Sequence, residues 1–272
     1  YFETCGLSRH IKLLLDYLIE YQEKLYNMIE KTITSLGKYF LLIQETFYKT
    51  FLPPFEKKEV LNQMYEIGVK SFPVCFLTSF FVGMVLALQS GTSSIYVLNE
   101  PLYVGTLVTF SLVKELGPVL TATVLIGRVG AAITAELGSM RVSEQIDAMY
   151  TLGTDPVKYL IVPRIIAFST MLPILVVFAN LVGIFGGMIV SYFKLNIPAT
   201  IYISDCLDFL QLNDFMHGFI KSIIFGIMIA TISCYKGFYA EGGAEGVGKA
   251  TTSSVVTSIV TLLVGDYFIS SL

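Results

Sequence analysis

The chain has 272 residues, of which 54% are hydrophobic and 14% charged, with a net charge of −3 and a mean hydropathy of +0.69. Soluble domains run at about 25% charged, so this composition, with its long uncharged runs, specifies an all-α integral membrane protein. The small negative charge and the lack of a basic cluster speak against a nucleic-acid partner. Two distant histidines (His10, His217) and four scattered cysteines (Cys5, Cys75, Cys206, Cys234) without a CxxC offer no metal or cofactor chemistry.

Residues 1–24 are mixed and polar and read as a helical extension, lacking the continuous apolar stretch of a secretory leader. Over 25–52, Leu25, Met28, Ile29, Ile33, Leu36, Phe40, Ile43 and Phe47 recur at helical spacing, with Lys24, Glu30, Lys38, Glu45 and Lys49 on the other side. This predicts an amphipathic helix, ended by Pro53-Pro54 and lying in the cytoplasmic interface. A soluble helix packed on a partner is the alternative.

Residues 53–272 carry five predicted spans. The first, Ser71 to Asn99, has no charge, a Gly83/Ala87 small-residue face and one strongly polar side chain, Gln89. The second, Leu102 to Gly127, has Lys114-Glu115 at its middle. Pro118, four residues later, cannot donate to the Lys114 carbonyl, so a bend is expected there. A polar connection follows, containing a short amphipathic helix at 142–152 with Glu144, Gln145 and Asp147 among Val142, Ile146, Met149 and Tyr150. Span three, Ile165 to Phe193, contains Pro173 and a Gly183/Gly187 face. A polar loop, Lys194 to Asp214, leads to span four, Phe215 to Tyr235, with His217 and Lys221 near its start. A glycine-rich loop, Gly237 to Gly248, precedes span five, Ala250 to Leu272, which carries Asp266.

Basic residues in the four connections alternate poor, rich, poor, rich: none, then Arg128, Arg141, Lys158 and Arg164, then Lys194, then Lys236 and Lys249. The positive-inside rule therefore puts the N-terminus and the 142–152 helix in the cytoplasm and the C-terminus outside.

Ionisable groups at mid-bilayer are unfavourable by at least ~2.5 kcal/mol each on insertion scales and usually line a functional cavity. Adjacent helical residues point in different directions, so Lys114 and Glu115 each need a partner or a polar cavity; a structural ion pair between helices is the competing reading. The loop GGAEGVGKATT comes near a phosphate-binding loop at Gly243, Gly248 and Lys249. It has Ala250 where Ser or Thr would hold magnesium, and it follows a membrane span instead of a strand, so a tight turn or a partner contact is expected. A polar helix in the longest cytoplasmic connection has the layout of a coupling helix.

GMVLALQ (83–89), SLVKELGPVLTA (111–122), GRVGAAITAELGSMRVSEQIDAM (127–149), LGTDPVKYLIVPR (152–164) and GGAEGVGKATT (242–252) together resemble the MlaE family of ABC-transporter permeases, with its plastid and mycobacterial relatives. The resemblance runs from about Lys58 to Leu272. It implies a five-span permease domain, a homodimer in the inner (cytoplasmic) membrane or a plastid inner envelope, and glycerophospholipid as cargo. It also implies a separate cytoplasmic ATPase and an MCE-domain substrate-binding protein outside, with no catalytic residues or cofactor in this chain. By matching position, Leu86, Gln89, Lys114 and Glu115 would line the lipid pocket, and Arg141, Glu144, Gln145 and Asp147 would couple to the ATPase. The family commonly has Arg where Lys114 stands and a basic residue where Ser253 stands. Two other functions are open to the residues: an ion-coupled secondary transporter using Glu115 and Asp266, and a non-transporting membrane scaffold.

Overall fold

The computed structural model describes residues 26, 30, 33–50, 57–98, 103–208 and 211–271. The predicted extension 1–24 and both ends of the predicted 25–52 helix lie outside them. The chain divides into two compact units, residues 1–48 and 49–272.

Helix α1 runs over residues 33–50, so all but its last two residues belong to the first unit. Ile33, Leu36, Phe40 and Phe47 stay exposed along one stripe, while Leu42 and Thr46 on the other side are buried.

Among its described residues the second unit is helix joined by turns, without a strand, and has five runs long and apolar enough to cross a membrane: Lys57–Ser94, Val104–Val142, Val157–Lys194, Leu212–Phe238 and Gly243–Ser270. The chain is thus an all-α, multi-span membrane protein. The first run joins α2 (Lys57–Ile67) and α3 (Phe72–Leu98) through a 3₁₀ turn, Val69–Ser71. The second is α4 (Val104–Ser111), a π segment (Leu112–Leu116), α5 (Gly117–Leu125), a second π segment (Ile126–Gly130) and α6 (Ala131–Val142). Then come α7 (Gln145–Thr151), a third π segment (Val157–Ile161), α8 (Val162–Lys194), α9 (Ala199–Asp208), α10 (Leu212–Phe238) and α11 (Gly243–Ser270).

Three boundaries differ from the sequence expectation. The segment from Arg128 to Val142 is helix, not connection. At 1.5 Å per residue the 39-residue run is about 58 Å long, against a hydrocarbon core of about 30 Å, so its charged end with Arg128, Glu136 and Arg141 projects. The loop 194–214 contains α9, whose Tyr202 and Cys206 are buried against Val104, Val108 and Leu112. The glycine-rich stretch turns only at Tyr239–Gly242; Gly243–Gly248 already belong to α11.

The small residues act where two helices meet. A Cβ on Gly83 would fall 1.9 Å from the Gly183 carbonyl oxygen, and one on Gly186 would fall 2.4 Å from the Phe80 carbonyl oxygen. The two small-residue faces read in spans one and three therefore meet each other, and α3 and α8 touch backbone to backbone. Between α6, α10 and α11 the seam is polar. The Thr134 hydroxyl donates to the Gly130 carbonyl (3.0 Å) and stands 3.0 Å from the Ser233 carbonyl and 2.9 Å from the Ser254 hydroxyl, with all three side chains buried.

Candidate functional site

The site begins with a proline. Pro118 carries no N–H, and one turn before it the helix widens: the Gly117 N–H closes onto the Leu112 carbonyl, making a π segment of Leu-Val-Lys-Glu-Leu. Such one-turn bulges recur at functional positions. The irregularity expected at Pro118 thus falls on Lys114 and Glu115 themselves.

Glycines then bring two other helices onto this segment. A Cβ on Gly218 would fall 2.2 Å from the Val113 carbonyl oxygen, and one on Gly117 would fall 1.9 Å from Asn180 Oδ1. Helix α10 lies so close that two of its polar side chains, Asp214 and Lys221, reach the π segment. Each member of the Lys114-Glu115 pair takes its own opposite charge from α10. Lys114 Nζ is 3.7 Å from Asp214 Oδ1 and 5.0 Å from the Phe110 ring centre. Lys221 Nζ donates to Glu115 Oε2 at 2.7 Å.

Helix α11 completes the cluster. Lys221 Nζ also donates to Ser270 Oγ at 2.7 Å and lies 2.7 Å from Asp266 Oδ1, the last an ion-pair contact without hydrogen-bond alignment. Ser270 Oγ is 3.1 Å from Glu115 Oε2. Lys221 is fully buried, and a buried cation is costly unless paired; here two carboxylates lie against it. Glu115 and Lys114 remain partly open, with side chains 38% and 33% exposed. His217 Nδ1 is shielded and has no hydrogen-bond partner. By rise per residue, Lys221 sits about 14 Å inside the Leu212 end of α10.

The structure does not gather all the residues named from the sequence. Leu86 packs with Ala87, Val108 and Leu112 in the apolar core beside the π segment. Gln89 is exposed on α3 and makes none of the cluster's hydrogen bonds. Conversely, Asp214, Lys221 and Ser270 were not among the candidate site residues. The signal was present: one buried cation in span four and one acid in span five imply each other, because intramembrane charges pair.

At the other end of the second run, the expected helix 142–152 is observed as Gln145–Thr151. Val142 ends α6, and Glu144 turns the chain at φ 58°, a left-handed conformation unfavourable for a side-chain-bearing residue. Ile146 is the buried anchor; Glu144, Gln145 and Asp147 face outward with Val142, Tyr150 and Leu152. Arg141 Nη1 bonds Asp147 Oδ1 at 2.5 Å across the turn. Arg164, counted above as a connection residue, is buried at the start of α8. It donates to the Leu160 carbonyl (2.8 Å) and pairs with Glu136 Oε1 of α6 (2.9 Å). Asp155 accepts from the Val157 N–H at 3.1 Å and also pairs with Lys49.

In the glycine-rich stretch, Gly242 and Gly243 adopt φ +92° and +66°. A Cβ on Gly246 would fall 1.7 Å from the Glu241 carbonyl oxygen, so this turn needs glycine. Among the described residues no group of His, Cys, Asp and Glu has the arrangement of a metal site.

The family model described as Permease MlaE matches residues 60–272. A probable ABC transporter permease protein of Rickettsia typhi is 43% identical over 244 residues, covering 89% of this chain and 93% of that one. A protein of the same description from Synechocystis is 41% identical over 231 residues (85% and 88%), and one from Pyropia yezoensis is 36% identical over 211 residues (78% and 80%). On the family match and on these identities over nearly its whole length, the chain belongs to the MlaE family of ABC transporter permeases.

Proposed function

We propose that this chain is the lipid-translocating membrane subunit of its transporter, acting as a homodimer that moves glycerophospholipid between membranes. The single observation that carries this reading is the mixed-charge cluster around the fully buried Lys221, set among apolar spans with Lys114 and Glu115 left partly open. Apolar walls suit acyl chains, and a few polar groups suit a headgroup. Lys114 and Glu115 meet the headgroup in this reading, while Leu86 and Gln89 on α3 complete the slot.

Hydrolysis belongs to a separate cytoplasmic ATPase that grips α7 through Glu144, Gln145 and Asp147, with Arg141 bracing the turn. An MCE-domain substrate-binding protein receives or delivers lipid on the opposite side. The charge distribution supports a cytoplasmic N-terminus and α7, and an external C-terminus. The host is the inner (cytoplasmic) membrane; the relative from Pyropia yezoensis keeps a plastid inner envelope as the alternative.

The test is Glu115→Leu. Lys221 keeps Asp266 as counter-ion in this variant, so the protein should still fold and elute as a single species, but it should copurify with little lipid. Wild-type lipid content in the variant overturns the pocket assignment. The secondary-transporter reading has one observation in its favour, since Glu115 and Asp266 do converge on one lysine. Membership of an ABC permease family sets it aside, and transport that persists without ATP would restore it. Retained ATPase binding with no lipid in the purified complex would favour the scaffold.

A further inference from the structure

The cluster is not neutral. Lys114 and Lys221 carry two formal positive charges, and Glu115, Asp214 and Asp266 carry three negative ones, a net of −1. What a ligand can reach is more uneven still. The Lys221 side chain is 0% exposed, and its ammonium is surrounded by Glu115 Oε2, Asp266 Oδ1 and Ser270 Oγ, all at 2.7 Å. Shielded from solvent and already donating to Glu115 and Ser270, the Lys221 ammonium presents no proton to a phosphate. The carboxylates that enclose it are the open groups, with Glu115 38% and Asp266 23% exposed. The accessible cation is Lys114. Its 3.7 Å separation from Asp214 exceeds hydrogen-bond length, which leaves its donors free.

We infer that the lipid site proposed above, on which this inference rests, selects headgroups that join a phosphate to a terminal ammonium over headgroups of net negative charge. The phosphate meets Lys114, a compact point charge suited to a single oxyanion. The ammonium meets Glu115, with Asp266 adding attraction from behind. A headgroup without a cation satisfies Lys114 equally well, but its single phosphate charge stays uncompensated beside two carboxylates that share one buried counter-ion. The charge-assisted contact that the ammonium gains at the partly exposed Glu115 carboxylate is worth about tenfold in binding.

The experiment uses the full chain with its copurifying subunits, incubated with vesicles of equal phosphatidylethanolamine and phosphatidylglycerol, and mass spectrometry of the retained lipid. Wild type should retain the ethanolamine lipid in about tenfold excess. Glu115→Gln and Asp266→Asn should each still bind lipid with the ratio moved toward parity, and Lys114→Gln should lower retention of both lipids. Equal retention by wild type, a preference for the glycerol lipid, or an unchanged ratio in both carboxamide variants overturns the inference. Asp266→Asn leaves Glu115 paired with Lys221, so one informative variant survives if the other does not fold. Lipid bound without discrimination sinks only the headgroup selection, whereas no lipid on wild type sinks the lipid-permease reading with it.

Discussion

At the scale of single residues, Lys221 is the group on which the site turns. Its ammonium is out of reach of water and paired with Glu115 and Asp266. Lys221→Met would leave two facing carboxylates without a cation. Breaking a buried pair from one side typically costs 3–5 kcal/mol, and the partial exposure of both acids puts this case near about 3 kcal/mol. A clear drop in melting temperature of the detergent-solubilised protein is expected. Replacing Glu115 and Asp266 by Leu in the same chain should recover most of it, because apolar side chains have no charge to compensate. A wild-type melt for Lys221→Met would show that the cluster carries no stability.

Asp205 is a second residue with a readable consequence. It lies near the C-terminal end of α9, where burial and the neighbouring Asp208 raise its carboxyl above the ordinary aspartate range. An acid whose folded pKa is raised is easier to accommodate protonated. Its contribution is most favourable below the unfolded pKa and is lost as pH rises through the folded one. Asp205→Asn should flatten that part of the stability profile in a pH series of thermal melts, and an unchanged slope would assign it elsewhere.

At the scale of elements, two contrasts follow from glycine. Gly83→Val places carbon where the Gly183 carbonyl oxygen already stands, so α3 and α8 must separate and the yield of folded protein should fall sharply. Gly127→Ala meets nothing within 4 Å and lies in helical backbone, so it should be neutral or stabilising by up to about 1 kcal/mol. Loss of folding in both variants would mean that the close crossing is not the cause.

Helix α7 allows a separation of stability from coupling. The Arg141–Asp147 pair is exposed on both sides, and such pairs contribute about 0–1 kcal/mol. Asp147→Asn should therefore melt within a few degrees of wild type while lowering ATPase activity in the assembled transporter. Equal activity would remove Asp147 from the proposed docking face.

At the scale of the whole molecule, the long second run connects the proposed lipid site with the proposed docking helix. It carries the π segment with Lys114 and Glu115 about 16 Å from its Val104 end and the stem of α7 at the other. Contacts fasten that stem to three helices within one turn: Glu136 to the buried Arg164 of α8, and Thr134 to Ser233 of α10 and Ser254 of α11. A push on α7 therefore reaches α8, α10 and α11 together. The proposed orientation is checked by single cysteines. A reporter at Glu144 should react only with reagent admitted to the cytoplasm and one at Ser271 only with external reagent. With Cys5 replaced by Ser, Cys75, Cys206 and Cys234 remain, and all three are buried and give little background. Labelling of both from one side would overturn the orientation.

The sequence by itself determined the membrane class, the five apolar runs and the two small-residue faces of spans one and three, because length, hydropathy and i,i+4 spacing are local quantities. The order of the permease motifs was legible for the same reason. That Lys114 and Glu115 needed partners also followed from the physics of a charge in an apolar medium. Which partners they took did not, because Asp214, Lys221, Asp266 and Ser270 arrive from helices about 100 to 155 residues away, and no local rule sets which faces of α10 and α11 turn inward. Tertiary structure likewise decided that Arg128 to Val142 stays helical beyond the apolar run. It buried Arg164 against Glu136, and it made α9 out of an apparently polar loop. In each case a side chain found a packed or charged partner that periodicity cannot see.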